Sequence, residues 1–282
     1  LAMAPYWSEH WGNPSSRQHR LGLTASAAVA VARKQLAACL EVTPERIVFT
    51  SGATEANNLA LLGHARALAD LKGRAGHLIS VQTEHHAVLD PLRQLEREGF
   101  QLTLLQPDAS GLIVPDQLAQ AIRSDTDLVS VMAANNEIGV LQPLSELAAI
   151  CRDRKITIHS DAAQAFGQVP LQPDAIGLDL LSLSAHKIYG PKGIGALVMR
   201  QGLPLQPLQW GGGQEAGLRP GTLAAPLIVG FAAAASLAMQ DLASRGERLG
   251  RLRDQLWLGL QNRIHGDPTE WSVRPPPAAQ PQ

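Results

Sequence analysis

Ser182-Leu183-Ser184-Ala185-His186-Lys187-Ile188-Tyr189-Gly190-Pro191-Lys192-Gly193 is the stretch whose reading decides this chain. The apolar run Leu178 to Leu183 leads into it and reads as a buried strand. A second apolar run, Ile194 to Val198, follows the Gly/Pro break at once. A histidine and a lysine therefore sit on a turn between two buried strands. Burial lowers a lysine pKa, and a neutral amine can attack an aldehyde to form an imine. Two phosphate-loop readings fail. Gly193-Ile194-Gly195 is followed by Val198 where a dinucleotide fingerprint needs its third glycine. No Gly-Lys-Ser/Thr closes the turn, as a P-loop requires. On this stretch alone a plain basic turn stays open.

Working outward, 282 residues suggest about two domains at ~150 residues each. A hydrophobic share of 45% and a net charge of -1 fit a globular chain with an ample core. The balance of 24 basic and 25 acidic residues argues for neither nucleic acid nor an anionic membrane as partner. Cys39 and Cys151 fall in helix-like apolar patterns and form no metal motif, which suggests a reducing, cytoplasmic setting. No apolar run reaches ~18 residues, so no membrane span is expected, and no charged-then-apolar leader opens the chain. The first residue is Leu1 rather than methionine, and Arg274 to Gln282 is Pro-rich without a core pattern. These ends are expected to be a truncation and a disordered tail.

Strands and helices alternate between these ends. Strands are expected at Ile47–Thr50, His77–Val81, Gln101–Gln106, Asp127–Met132 and Lys155–His159. Helices are expected from Thr24 to Leu40, from near Thr54, and at Val88–Glu98, Pro115–Arg123 and Leu144–Asp153. This alternation predicts an α/β domain with a mostly parallel central sheet and flanking helices. After Gly221 the pattern turns helical. Thr222 to Met239 is one helix, and Leu249, Leu252, Leu256 and Leu260 form a stripe on a second. Ser244-Arg245-Gly246 reads as the break between them.

Five short constellations follow predicted strands. Thr50-Ser51-Gly52-Ala53-Thr54-Glu55 joins a strand to a helix start, where free amides make an anion site or simply a capped turn. Thr83-Glu84-His85-His86 offers an imidazole to stack on a flat ring, or a helix cap; no carboxylate or cysteine stands at metal-ligand spacing. Ala134-Asn135-Asn136 supplies amides for a turn or for a phenolic oxygen. His159-Ser160-Asp161-Ala162-Ala163-Gln164 places an acid that is expensive to bury without a cation such as a pyridinium nitrogen. The lysine turn is the fifth. Strand ends of a parallel sheet converge on one crevice, and the five groups together describe pyridoxal 5'-phosphate (PLP).

At this point the chain resembles the cysteine desulfurases, the NifS-like, PLP-dependent branch of class V aminotransferases. The matching motifs are Phe49 to Asn58, Thr83-Glu84-His85, Asn135 to Gly139, Asp161 to Gln164, Ser184 to Gly193, Gly211-Gly212-Gly213-Gln214-Glu215 and Arg219-Pro220-Gly221-Thr222. The resemblance implies the fold-type I PLP transferase architecture, with the large domain at 15–240. It makes 1–14 the remnant of an N-terminal segment and 241–282 the start of a small C-terminal domain. It implies that Lys187 holds PLP and moves protons at the substrate Cα. His85 stacks on the ring and acts as acid or base, and Asp161 pairs with the ring nitrogen. Asn136 and Gln164 address the phenolic oxygen. Ala53, Thr54, Ser184 and His186 hold the phosphate. Thr222 would reach the phosphate of a neighbouring subunit, which implies a homodimer. The implied reaction converts L-cysteine to L-alanine, with sulfur passed to an acceptor or scaffold protein for iron–sulfur cluster assembly. The family also carries a nucleophilic cysteine on a mobile loop and a carboxylate-binding arginine, and neither has a counterpart here. PLP binding without sulfur release is therefore expected. An inactive remnant and another PLP-dependent lyase, such as a selenocysteine lyase, stay open.

Overall fold

The apolar runs become the seven strands of one sheet in the computed structural model, which describes residues 1–261. They are β1 Ile47–Thr50, β2 His77–Val81, β3 Gln101–Leu105, β4 Thr126–Ser130, β5 Thr157–Asp161, β6 Leu180–Ser184 and β7 Gly195–Met199. Their order is β1-β7-β6-β5-β4-β2-β3. β7 runs antiparallel to both of its neighbours, and the other pairings are parallel. Strands β1, β2, β4, β5 and β6 are buried along their whole length, as coverage of both faces requires. β3 lies at an edge and is partly exposed.

The flanking helices are α1 Pro5–Ser8, α2 Arg20–Ala38, α3 Ala53–Asn58, α4 His64–Lys72, α5 His86–Arg97, α6 Pro115–Ala121, α7 Leu144–Asp153, α8 Pro173–Ile176, α9 Ala225–Gln240 and α10 Leu242–Gln261. A π turn at Leu59–Gly63 links α3 to α4. α2 and α9 pack face to face. The small side chains Ala25, Ala32, Ala232 and Ala235 are buried there and let two backbones approach. Phe166 and Phe231 meet edge to face, with centroids 6.3 Å apart.

Among the boundaries that differ from the sequence reading, four have a local cause. α2 starts at Arg20 because His19 Nδ1 accepts from the Gly22 amide at 3.1 Å and caps the helix. Thr222 stays outside α9, which opens at Ala225 with a proline in its first turn. β5 begins at Thr157, not Lys155. Lys155 takes a left-handed conformation (φ 58°) as the chain leaves α7, so the strand starts two residues later and ends on Asp161. The break between the last two helices falls at Asp241, where the axis bends by 69°. Ser244-Arg245-Gly246 lies inside α10, because Arg245 pairs with Asp241 and also donates to Gly167 O and Ala238 O. On α10 the stripe Leu249, Leu252, Leu256 and Leu260 is exposed. The Pro-rich stretch read as a tail lies outside the described residues.

No single helix among the described residues is long and apolar enough to cross a membrane.

Candidate cofactor site

Parallel strands end on one side of a sheet, and here those ends gather the expected residues. The turn after β6 carries His186 and Lys187, and the chain returns at once as β7. Gly195 opens β7 between the ends of β1 and β6. A Cβ there would meet Gly52 Cα at 2.7 Å and Leu183 O at 2.5 Å, so only glycine lets the Gly52 turn and the lysine turn come this close. Tyr189 follows in the left-handed region (φ 62°), uncommon for a bulky residue.

One cavity of about 680 Å³ is lined by Ala53, Thr54, His85, Asn136, Asp161, Gln164, Ser184, His186 and Lys187, among others. Of the expected site residues, Thr222 alone is absent from that lining, and it is exposed. A larger cavity of about 1060 Å³, walled by residues such as Ile188, Leu237 and Ala238, holds none of the expected site groups. Chemistry, not size, marks the site.

Asp161 is buried, and its charge has few supports. Oδ2 accepts from Asn57 Nδ2 at 2.7 Å and Oδ1 from the Ala163 amide at 2.9 Å. Burial pushes its carboxyl above the usual aspartate range. Those two hydrogen bonds, and the neighbouring His85 and Lys187 side chains, pull it partly back. Among the described residues it forms no ion pair, so a ring N–H⁺ entering the cavity would be its missing partner.

His85 caps α5. Its Nδ1 accepts from the Ala87 amide at 3.0 Å, so the neutral ring carries its proton on Nε2. The cap and the cavity role coexist. The adjacent asparagines divide the work. Asn135 is buried, its Oδ1 accepts from the Glu137 and Ile138 amides, and its Nδ2 donates to Thr83 O at 3.0 Å. That turn leaves Asn136 on the cavity wall.

At the end of the cavity expected to take the phosphate, Ala53 and Thr54 open α3, and Ser184 Oγ lies 2.8 Å from His186 Nδ1. Desolvation, then the positive charges of Lys187 and Lys192, hold His186 below the usual histidine range. Burial works against the charge on Glu55. Hydrogen bonds from Arg219 and Ser51 outweigh it, and its carboxyl sits below the usual range. An anion there meets donors and positive charge, so the donor set fits PLP at both ends. Lys187 departs from the sequence reading: it is exposed on its turn in this structure rather than buried between the strands.

Sequence reasoning missed three supporting residues. Asn57 is fully buried against Asp161. No local pattern in the sequence marked it. Glu84 is buried with Oε2 unpaired. Glu215 anchors the Gly211 to Gln214 loop by pairing with Arg33 and accepting from the Phe49 amide at 2.7 Å. Among the described residues no three His, Cys, Asp or Glu side chains gather as a metal site.

Sheet order, the single antiparallel strand and the strand-end cavity define an α/β domain of the fold-type I class. The class-V aminotransferase family profile matches residues 1–266. The cysteine desulfurase IscS of Shewanella piezotolerans is 50% identical over 263 residues, covering 91% of this chain and 64% of the relative. A solved NifS-like protein superposes with a TM-score of 0.89 at 38% identity, covering 93% of this chain and 71% of that one. A solved SspA in complex with cysteine gives 0.79 at 44% identity, with coverages of 83% and 67%. The chain belongs to the class-V aminotransferases, in their NifS-like, cysteine desulfurase branch. It spans 64% of the length of the Shewanella relative.

Proposed function

We propose that this chain is the cofactor-binding part of a PLP-dependent cysteine desulfurase. Residues 15–240 are its large domain, and the small domain starts near the bend at Asp241. One observation carries the reading: the imine-competent Lys187 shares a single cavity with Asp161, His85, Asn136, Gln164 and the Ala53-Thr54 turn. PLP, when bound, supplies an electron sink for negative charge at the substrate Cα.

The residues would act as follows. Lys187 Nζ would hold the cofactor covalently and, as a free amine, would take and return the Cα proton. Asp161 would keep the ring nitrogen protonated. His85, with Nδ1 tied to the Ala87 amide, would stack on the ring and offer Nε2 for proton transfer. Asn136 and Gln164 would orient the phenolic oxygen. Ala53, Thr54, Ser184 and His186 would hold the phosphate, and Thr222 would reach that of a second copy in a homodimer. L-Cysteine as substrate follows the relatives' printed names and the cysteine-bound SspA structure. Sulfur delivery to an acceptor or scaffold protein for iron–sulfur clusters, in the cytoplasm, is the corresponding biological role. Cys39 and Cys151 do not line the cavity, so neither is placed to take the sulfur.

Borohydride reduction of the PLP-loaded protein, followed by peptide mapping, tests the reading. The pyridoxyl group is expected on Lys187. A label on Lys192 instead, the other lysine of the cavity, would displace it.

A further inference from the structure

Glu84 sits in the turn between β2 and α5 and is 6% exposed. Its Oε1 accepts from the Met132 amide at 2.5 Å, while Oε2 is buried with no partner. Among the described residues no Lys, Arg or His pairs with it. Its charged neighbour is Asp161, a second carboxyl. Two buried carboxyls that sense each other do not both ionise readily. Asp161 has two N–H donors to hold a negative charge, and Glu84 has one. The proton therefore belongs on Glu84. Burial, then the charge of Asp161, push its carboxyl well above the usual glutamate range, in agreement.

The location adds a purpose. Met132 lines the cavity, and Asn135 Nδ2 donates to both Thr83 O and Met132 Sδ. Glu84 and Asn135 thus stitch the His85 turn to the loop that carries Asn136, from opposite directions.

We propose that Glu84 is a positioning residue that works as a neutral acid, tying the His85 turn to the Asn136 loop through the Met132 amide and leaving Asp161 to carry the negative charge at that end of the site. Its consequence for PLP rests on the function proposed above; its protonation does not.

Infrared spectroscopy of the PLP-free protein, with and without ¹³C-glutamate labelling, reads the proton directly. The expected result at about pH 8 is a label-sensitive stretch of a protonated carboxyl, well above the pH at which an ordinary glutamate ionises. The other buried glutamate side chain among the described residues, Glu215, is paired with Arg33, so such a band has one source there. Glu84→Gln should remove the band yet bind PLP close to the parent, because an amide keeps an acceptor for Met132 N–H and a donor in place of the hydroxyl. Glu84→Ala should bind PLP about tenfold more weakly, the cost of an unpaired buried amide. No protonated band in the folded parent overturns the proposal, and so does a Gln variant as weak as the Ala variant. Should the variants fail to fold, the band in the labelled parent still decides. A band with no PLP binding at all would sustain the neutral acid and remove the cofactor reading instead.

Discussion

Asn57 Nδ2 donates to Asp161 Oδ2 at 2.7 Å, and both side chains are buried. Asn57 stands one helical turn beyond Ala53 on α3, while Asp161 ends β5. One hydrogen bond therefore sets the distance between the start of α3, the proposed phosphate cradle, and Asp161, the proposed partner of the ring nitrogen. A ligand held at both ends gains from that preset spacing, since less order is lost on binding.

Replacing Asn57 tests the brace. Asn57→Ala removes a donor to a buried carboxylate, a bond worth about 1.5–3 kcal/mol when one partner is charged. Asn57→Asp is expected to be worse, because it sets a second carboxylate against Asp161. Titration of PLP by visible absorbance should rank affinity as parent, then Ala, then Asp. Undiminished PLP binding by the Asp variant would show that the brace does not serve the site.

The same face of β5 carries a second buried group two residues earlier. His159 is fully buried, with Nδ1 2.8 Å from Ser130 Oγ and Nε2 3.0 Å from Ser182 Oγ. Burial pushes its pKa down to about 3. An unfolded chain binds that proton near pH ~6.5. Between those values the unfolded state holds more protons, so stability from this group is full above about pH 6.5 and falls as pH falls. The slope is on the order of 1 kcal/mol per pH unit. Asp161 and Glu84, both raised, act with the opposite sign, so the parent curve alone is ambiguous. The informative quantity is the stability gap between parent and His159→Gln. That gap should be widest at neutral pH and shrink as pH is lowered toward about 4. A gap that stays constant across the range would mean that His159 is not held neutral.

The two supports differ in how much of them the sequence reveals. Strand runs such as Leu180–Ser184 are legible because a strand buried on both faces has to be apolar throughout. His85, Asp161 and Lys187 are legible because polar groups at strand ends in an α/β pattern converge. Asn57 and Glu84 are not, since nothing local tells a buried amide or acid from a solvated one; each meets a partner distant in sequence, Asp161 for Asn57 and the Met132 amide for Glu84. The two-residue shift of β5 was likewise hidden, because it comes from the left-handed turn at Lys155. The exposure of Lys187 shows the limit of arguing from flanking strands, for a turn need not share their burial.

The cysteines give the last prediction. A thiol that carries sulfur must reach the substrate and must ionise, because the thiolate is the nucleophile. Cys151 is fully buried on α7, and burial pushes its thiol up to about 12. Cys39 caps the end of α2 rather than lying inside it; it is half-buried, and desolvation raises its thiol despite a hydrogen bond with Ser236. Neither lines the site cavity. Incubation with PLP and L-cysteine should leave both without a persulfide, as read by alkylation and intact-mass measurement. Iodoacetamide at neutral pH should label Cys39 slowly and Cys151 only after unfolding. A persulfide found on either residue, and abolished by Cys39→Ser or Cys151→Ser, would place the sulfur carrier inside this domain and overturn the assignment of both cysteines to packing.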